Sequence, residues 1–291
     1  MAIKRFTYAK LGRAGLGNEL FPYLRSLDVA EIDGARLVPP RWFKLRIGPW
    51  LRQERDRRRY WLLFRRPSLS DRFLQVALDI YKAAARISSS RLTPKAVTVE
   101  SPSGMGRFFA DLRQNPLRYR TFLEDTARKG SLSVKPERPY VCLHVRLGDF
   151  ARLPAGPILH TRDNVSTPVE WFGTTLEAVR PGLSDFGIYV ASDGSDEELS
   201  PVLNQPGVMR TSANNALDEM LWLARAEGII GSRSTFTAWG AFLGEAPLLL
   251  APGGNAYQPH SRVWEAHTAE DIRAWVTAVE LRMNDAKLGA P

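Results

Sequence analysis

The sequence predicts an α/β fold with a parallel, doubly wound sheet, and three observations support this prediction. Apolar, β-rich runs alternate with segments of helical periodicity, and from Pro139 onward a new strand recurs about every 20 to 40 residues. A strand, a glycine-rich turn and a helix follow one another near the start of the chain. The apolar run 140–143 leads into polar residues, as strands do at the carboxyl edge of a sheet, where ligands bind.

Length and composition fit two domains. The 291 residues, 44% of them hydrophobic, can bury two cores of ordinary size. The single cysteine, Cys142, has no partner for an intrachain disulfide and is interpreted as a buried structural thiol. No apolar run approaches the roughly 20 residues of a membrane span, and the first residues are not followed by a signal-peptide core. These features predict a cytoplasmic protein.

In the first half of the chain, residues 6–9 are predicted as a strand, followed by a turn with Gly12, Gly15 and Gly17 and then a helix. Backbone N–H groups in such a loop can approach an anion, although the spacing is not the dinucleotide-binding fingerprint. The alternative is an ordinary tight turn with Asn18 as the helix cap. Further elements predicted here are strands at 36–38 and 96–99 and helices at 108–112 and 117–128.

The net charge of +9 is concentrated in one segment. Residues 41–66 contain ten Lys or Arg against only Glu54 and Asp56, with aromatic residues interleaved among the arginines. No nucleic-acid-binding motif accompanies the charge, so nucleic acid is the weakest interpretation. Two interpretations stay open: a solvated basic face, or a contact with an acidic acceptor or an anionic membrane surface, which would place the protein at the inner membrane face.

Residues 130–138, rich in Gly, Ser, Lys and Pro, are predicted as a linker. The boundary gives an N-terminal domain of residues 1–135 and a C-terminal domain of residues 136–291. The second domain alternates regularly between strands and helices. Its predicted elements after the strand at Tyr140 are strands at 187–191, 207–209, 228–231 and 247–250, the last taken as the final strand, and helices at 170–179, from 195, at 216–226, at 234–243 and from 268.

Polar groups after three of these strands converge if the strands are parallel. Period-2 alternation places His144 and Arg146 on one face after the first strand, and Asp193 follows the next strand. Ser234 and Thr235 begin a helix after a third strand. A guanidinium and the N–H groups of a helix start both favour phosphate. The sequence therefore predicts an anion site at this edge.

Structural alternatives exist for each of these residues. Arg146 paired with Asp149 would only close the strand end, and Asp193 and Asp218 would serve as helix caps. The strand-end groups contain no Asp-x-Asp, and no Cys/His cluster has metal-ligand spacing, so no metal site is predicted.

Three separated blocks resemble the pattern of the GDP-fucose-dependent fucosyltransferases, most closely the bacterial α-1,2 family and more loosely the α-1,6 and protein O-fucosyltransferases. The blocks, in the expected order, are residues 15–21 (GLGNELF), 144–149 (HVRLGD) and 229–240 (IIGSRSTFTAWG). The resemblance implies a GT-B-like arrangement of two Rossmann-like domains with a central cleft, in which residues 1–135 form the acceptor-side domain and residues 136–291 the nucleotide-sugar-binding domain. It also implies an inverting, metal-independent transfer of L-fucose from GDP-β-L-fucose to a glycan or glycoconjugate, with an α linkage and no cofactor.

The resemblance also implies residue roles. Arg146 holds the β-phosphate with Ser234 or Thr235, and His144 contacts guanine. Asp218, or the adjacent Glu219, accepts hydrogen bonds from the guanine N1 and N2 donors. The remaining donor-site residues are Gly17, Asn18, Asp193 and Phe236. Arg146, Asp149 and Glu19 are the predicted catalytic residues, and Glu19, Asp149 and His160 are the candidates for a general base.

The chain departs from the family pattern at several positions. Leu147 stands where a second Arg is usual, and Glu19 replaces the usual Gln. The last block carries an extra residue, Arg233, which can compensate for the missing cation. These departures leave two alternatives: a related transferase that uses another nucleotide sugar, or a catalytically silent protein that binds nucleotides or glycans on the same scaffold.

Overall fold

The computed structural model describes residues 4–43, 59–87, 97–134, 136–148, 150–151 and 165–288. These residues form two compact units, the first ending at Gln114 and the second beginning at Asn115. Each unit contains a parallel β-sheet with helices between its strands. The predicted α/β fold class is therefore confirmed.

The first unit is built on a three-stranded parallel sheet in the order β2-β1-β3. Its core packs Tyr8, Val38 and Leu78 together. Its elements are β1 (Lys4–Thr7), α1 (Leu16–Ile32), β2 (Arg36–Leu37), a 3-10 helix (Tyr60–Leu62), α2 (Leu69–Ile87), β3 (Val97–Glu100) and a second 3-10 helix (Phe108–Asp111). The three strands agree with the predicted ones to within about two residues, and the helix predicted at 108–112 is a 3-10 turn. Helix α2 has no counterpart among the predicted elements.

The second unit is built on a six-stranded sheet in the order β6-β5-β4-β7-β8-β9, in which all neighbours are parallel. Its elements are α3 (Pro116–Thr126), β4 (Tyr140–Val145), α4 (Val169–Val179), a 3-10 helix (Arg180–Leu183), β5 (Gly187–Ser192), α5 (Ser200–Leu203), β6 (Val208–Arg210), α6 (Ala216–Arg225), β7 (Gly228–Gly231), α7 (Thr235–Gly244), β8 (Leu248–Leu250), β9 (Val263–Glu265) and α8 (Ala269–Leu288). The doubly wound, parallel sheet is confirmed.

One prediction for this unit was wrong, and another holds over a shorter length. The strand at 247–250 is not the final one, because Trp264 of β9 pairs with Leu249 beyond it. The acidic segment from Ser195 does begin a helical turn: the Ser195 N–H donates to Glu198 Oε2 at 2.7 Å, and the Glu198 N–H donates to Ser195 Oγ at 3.2 Å, which is the reciprocal pattern of a capping box. The Leu199 N–H donates to the Ser195 carbonyl oxygen at 3.1 Å, and the regular helix α5 that follows has one turn.

The predicted linker at 130–138 lies inside the second unit. The Ser133 N–H donates to Asp218 Oδ2 at 3.0 Å, and helix α3, which precedes the linker, places the Tyr119 ring 6.0 Å from that of Phe242 on α7. The composition of residues 130–138 indicated a linker, but the backbone N–H of Ser133 is bonded to a side chain of α6. The division between the compact units consequently falls some 20 residues before the predicted boundary.

Strand β4 occupies the centre of the larger sheet, and all six of its residues are buried. Val141, Leu143 and Val145 face one core cluster, whereas Tyr140 and Cys142 face the other, which includes residues of α6 and α7. Both faces are covered by helices, as expected for a parallel sheet. Alternation along the strand directs His144, the next even position, towards α7.

The strand order places a topological switch point between β4 and β7. The chain passes from β4 outward through β5 and β6, then returns to β7 and continues outward the other way. Ligands of open α/β sheets bind at this point, outside the carboxyl ends of the strands. No helix in the described ranges is long and apolar enough to cross a membrane.

Candidate functional site

Arg146 lies directly after β4, at the switch point. Its backbone N–H donates to Ser232 Oγ at 2.9 Å, and the Ser232 N–H donates to the His144 carbonyl oxygen at 2.9 Å. Ser232 therefore ties the carboxyl ends of β4 and β7 together. The guanidinium Nη1 of Arg146 lies 2.5 Å from Asp193 Oδ2, and both side chains are partly buried. The structure thus fixes a cation at the edge where the sequence predicted an anion site.

Asp193 makes two contacts with the residues that follow β4. Besides its ion pair with Arg146, it accepts the Leu147 N–H on Oδ1 at 2.8 Å. A side chain at Gly148 would collide with Asp193 Oδ2, so glycine is required for this close approach. The described partner of Arg146 therefore comes from the end of the neighbouring strand β5. Asp149, the partner in the structural alternative, lies outside the described residues.

His144 is linked to the start of α7. Its Nδ1 lies 2.6 Å from Thr237 Oγ1, which in turn lies 3.0 Å from Ser234 Oγ, and its ring stacks on Phe236 with centroids 5.0 Å apart. Burial lowers the pKa of His144 well below its ordinary value, so the imidazole is neutral at neutral pH. A side chain at Gly231 would displace Thr237 from this arrangement.

The N-terminus of α7 supplies the second positive feature at this edge. Ser234 is the N-cap residue, and its Oγ accepts the Thr237 N–H at 3.1 Å, while Thr235 is the first helical residue. The start of a helix carries partial positive charge and favours phosphate. A small cavity adjoins it, lined by Ser232, Ser234 and Asn255 among others. Ser234, Thr235, Phe236, His144 and Arg146 are therefore brought to one edge, as predicted.

The two adjacent carboxylates of α6 have different surroundings. Asp218 is wholly buried, and its Oδ2 accepts the N–H groups of Ser133 at 3.0 Å and Asn214 at 2.8 Å. The N-cap residue of α6 is Asn215, and Asp218, three residues further on, accepts the Asn214 N–H just before the cap, so Asp218 contributes to the helix start as its structural alternative states. Glu219 is largely buried but keeps part of its surface exposed, and it is hydrogen-bonded to the backbone of Ser192.

The pKa of the Glu219 carboxyl group lies close to neutral pH. Burial, together with the negative charge of Asp193, raises the pKa of Glu219 from 4.5 to about 7. The opposing influence of the Arg146 cation is smaller. Glu219 therefore exchanges its proton near physiological pH beside the Arg146–Asp193 pair.

Substituting Glu219→Gln should stabilise the protein in a pH-dependent way. Below about pH 4 the folded and unfolded states both hold the proton, so the substitution should have little effect. Between about pH 4.5 and 7 the unfolded chain ionises first, and the folded state loses stability. Above this window the substitution should add about 1–3 kcal/mol to the free energy of unfolding. Denaturant titrations across pH measure this change, and Glu177→Gln, at an exposed position, is the matched control. A pH-independent effect of Glu219→Gln would contradict the raised pKa.

In the first unit, Glu19 organises the glycine loop. Its carboxylate accepts the N–H groups of Gly12 at 2.6 Å and Ala14 at 2.8 Å. Gly15 is the N-cap of α1, and the Asn18 N–H donates to the Gly15 carbonyl oxygen at 3.1 Å, so the alternative with Asn18 as the cap was wrong. Gly17 is buried in the first turn of α1. The structure gives Glu19 a loop-forming role, and its predicted catalytic role stays a prediction.

Some predicted residues fall outside the described ranges. They are Asp149, His160 and most of the basic segment 41–66, namely residues 44–58. Their roles stay predictions. Within the described ranges, no group of three or more His, Cys, Asp or Glu side chains is arranged to hold a metal ion.

Sequence reasoning overlooked two members of the site, Ser232 and Thr237. Ser232 follows β7 directly, so the rule that identified Arg146 and Asp193 as strand-end residues also applies to it. Thr237 lies on the same turn of α7 as its cap, and its contact with His144 joins residues 93 positions apart, which no local pattern signals.

No family model and no curated protein matches the chain. Several solved structures are similar to the chain, all at low similarity. They include the fucosyltransferase NodZ from Bradyrhizobium (14% identity, covering 84% of this chain and 94% of that chain, TM-score 0.44), a variant of FUT1 from Arabidopsis thaliana in complex with GDP (11%, 85% and 70%, 0.46) and the ADP-heptose LPS heptosyltransferase II of E. coli (12%, 97% and 100%, 0.44). Likeness at this level identifies neither a family nor a ligand.

Proposed function

We propose that the chain is an inverting glycosyltransferase of the GT-B type that transfers L-fucose from GDP-β-L-fucose to a glycan or glycoconjugate, forming an α linkage. One observation carries the proposal. At the switch point of the second unit, the Arg146 guanidinium and the N-terminus of α7 lie where parallel sheets bind nucleotides. The three sequence blocks that resemble fucosyltransferases supply the identity of the donor.

Arg146 and α7 would stabilise the leaving group. When the bond from the sugar to the β-phosphate breaks, negative charge grows on the diphosphate while the sugar gains oxocarbenium character. The Arg146 guanidinium is already oriented by Asp193, so it can stabilise the negative charge on the diphosphate without reorganising. Ser234 and Thr235 at the start of α7 stabilise the same charge. This mechanism assigns no step to a metal ion.

Guanine requires a hydrogen-bond acceptor for its N1–H and its exocyclic amino group. We assign that role to Glu219 rather than Asp218, because Asp218 is wholly buried, whereas Glu219 keeps part of its surface exposed. Neutral His144 would use Nε2 towards the base, since its Nδ1 is paired with Thr237. Glu19, Asp149 and His160 remain the candidates for the base that deprotonates the acceptor.

A nucleotide panel tests the proposal. GDP and GDP-fucose should raise the melting temperature more than UDP, ADP or TDP, because about 2.7 kcal/mol is gained at a ligand concentration one hundred times the dissociation constant. Transfer or slow hydrolysis of GDP-fucose should then persist with EDTA present. Equal stabilisation by every nucleotide would refute guanine recognition. Loss of turnover in EDTA that is restored by Mg²⁺ or Mn²⁺ would refute the metal-free mechanism, and tight GDP binding without any turnover would indicate a silent binding protein.

A further inference from the structure

Helix α2 of the first unit is apolar on two sides. Its inner side contributes Leu78 and Leu74 to the core beneath the three-stranded sheet. Its outer side presents Leu69, Phe73, Val76 and Ile80, which are exposed, with Phe73 and Ile80 at 74% and 64%. The spacing of four, three and four residues aligns these side chains along one stripe of the helix, about 17 Å long. We call Leu69, Phe73, Val76 and Ile80 the outer stripe.

The rest of the outward surface of α2 continues this apolar character. Ala77, Ala83 and Ala84 are exposed near the stripe, and at helical spacing Arg72 is the charged residue that flanks it most closely among those described. Contiguous exposed apolar surface of this kind marks an interaction site on a soluble protein.

The charges around the outer stripe are unequal in sign. The acidic residues of α2 are engaged away from the stripe: Asp71 pairs with Arg36 at 2.8 Å, and Asp79 accepts the Tyr8 hydroxyl at 2.5 Å. Arg72 is exposed at the margin of the stripe, and Arg66 is exposed just before the helix begins. Residues 59–66 contain three arginines and no acidic residue. The stripe is thus bordered at its N-terminal end by net positive charge.

We propose that the outer stripe docks on an anionic lipid bilayer, with α2 lying in the interface plane. An amphipathic helix buries its apolar stripe at the boundary of headgroups and acyl chains, while flanking arginines gain from the negative leaflet. This surface shares Arg66 with the basic segment 41–66 singled out in the sequence, but its apolar contribution comes from residues 69–80. The inference does not depend on the proposed donor or reaction.

A second copy of the chain is the main competing occupant. In a two-fold dimer the same patch meets itself, so two surfaces of the same net positive charge would face each other, and like charges at an interface oppose association. The charge around the stripe therefore favours an anionic surface over self-association.

Vesicle sedimentation tests the proposal with the full chain. Vesicles of phosphatidylcholine alone are compared with vesicles containing about a third phosphatidylglycerol. The double variant Phe73→Ser/Ile80→Ser removes the centre of the stripe. Its matched control, Leu117→Ser/Leu281→Ser, removes two apolar side chains exposed to a similar degree, 57% and 59%, on helices of the second unit. A third variant, Arg66→Gln/Arg72→Gln, tests the charge. Circular dichroism and melting curves establish that all variants fold.

The protein should sediment with the anionic vesicles. Phe73→Ser/Ile80→Ser should lower its partition coefficient roughly tenfold or more, the control should leave it unchanged, and Arg66→Gln/Arg72→Gln should weaken binding and flatten its salt dependence. Failure of the unaltered protein to bind anionic vesicles would overturn the proposal, as would equal binding by Phe73→Ser/Ile80→Ser. Sedimentation velocity supplies the remaining outcome: a dimer that this variant converts to a monomer would assign the stripe to self-association instead.

Discussion

Replacing Arg146 with Ala should slow sugar transfer about a thousandfold, because the diphosphate would leave without its fixed counter-charge. Arg146→Lys should recover only part of the rate, since an ammonium lacks the planar fork that Asp193 orients. Steady-state kinetics with GDP-fucose at saturating acceptor measure both variants. The loss should appear mainly in kcat, because the charge on the leaving group develops in the transition state.

Arg138→Ala is the matched control for this experiment. Arg138 precedes the same strand at its opposite, amino end, where it donates to the carbonyl oxygens of Ser184 at 2.6 Å and Asp185 at 2.9 Å. Its removal should leave the transfer rate nearly unchanged. Asp193→Asn should fall between the two, because Arg146 would remain but would lose its charged partner. If Arg146→Ala kept more than about a tenth of the activity, the assignment of the leaving-group site would be wrong.

Substitutions at two adjacent positions at the end of α7 should change the free energy of unfolding in opposite directions. A side chain at Gly244 would meet the carbonyl oxygen and backbone carbon of Ala224 on α6, which cannot move independently of the helix. Gly244→Ala should therefore lower the free energy of unfolding by about 3 kcal/mol. Glu245 has φ 50°, the left-handed conformation that favours glycine, so Glu245→Gly should raise it by about 1 kcal/mol.

Denaturant titration followed by tryptophan fluorescence measures both changes under the same conditions. Glu245→Gly is the internal control, because it alters the same helix end and removes a side chain instead of adding one. A neutral Gly244→Ala would mean that α6 and α7 can separate without cost, contrary to the close approach of their backbones. A destabilising Glu245→Gly would show that the Glu245 side chain contributes more than its backbone strain costs.

The sequence was most informative where burial on both faces leaves a continuous apolar run. Such runs identified β7 to the residue and β4 to within two residues, since β4 continues through His144 to Val145, and the polar residues that follow the two strands identified Arg146 and Ser234. Helix α2 was overlooked although its apolar residues recur at helical spacing; the sequence does not show that Phe73 faces outward while Leu78 faces the core.

Contacts between distant segments were beyond sequence reasoning. Asp193 was recognised as a strand-end residue, but its pairing with Arg146 depends on β4 and β5 being adjacent and in register. The different surroundings of Asp218 and Glu219 depend on Ser133, which packs against α6. Ser133 belongs to the segment 130–138, whose composition indicated a linker. Local patterns therefore placed residues at the correct edge but did not establish which of them bind one another.

The thiol of Cys142, at the centre of β4, is a natural probe for unfolding of the second unit. Cys142 is the only thiol in the chain and is wholly buried, and burial raises the pKa of its thiol far above the ordinary value. An alkylating reagent can reach the thiolate only when the six-stranded sheet opens. When reclosing is faster than alkylation, the labelling rate divided by that of a free thiol gives the opening equilibrium of this unit alone. Mass spectrometry of timed alkylation would therefore follow the opening of the six-stranded sheet in a mixed sample, with no engineered label.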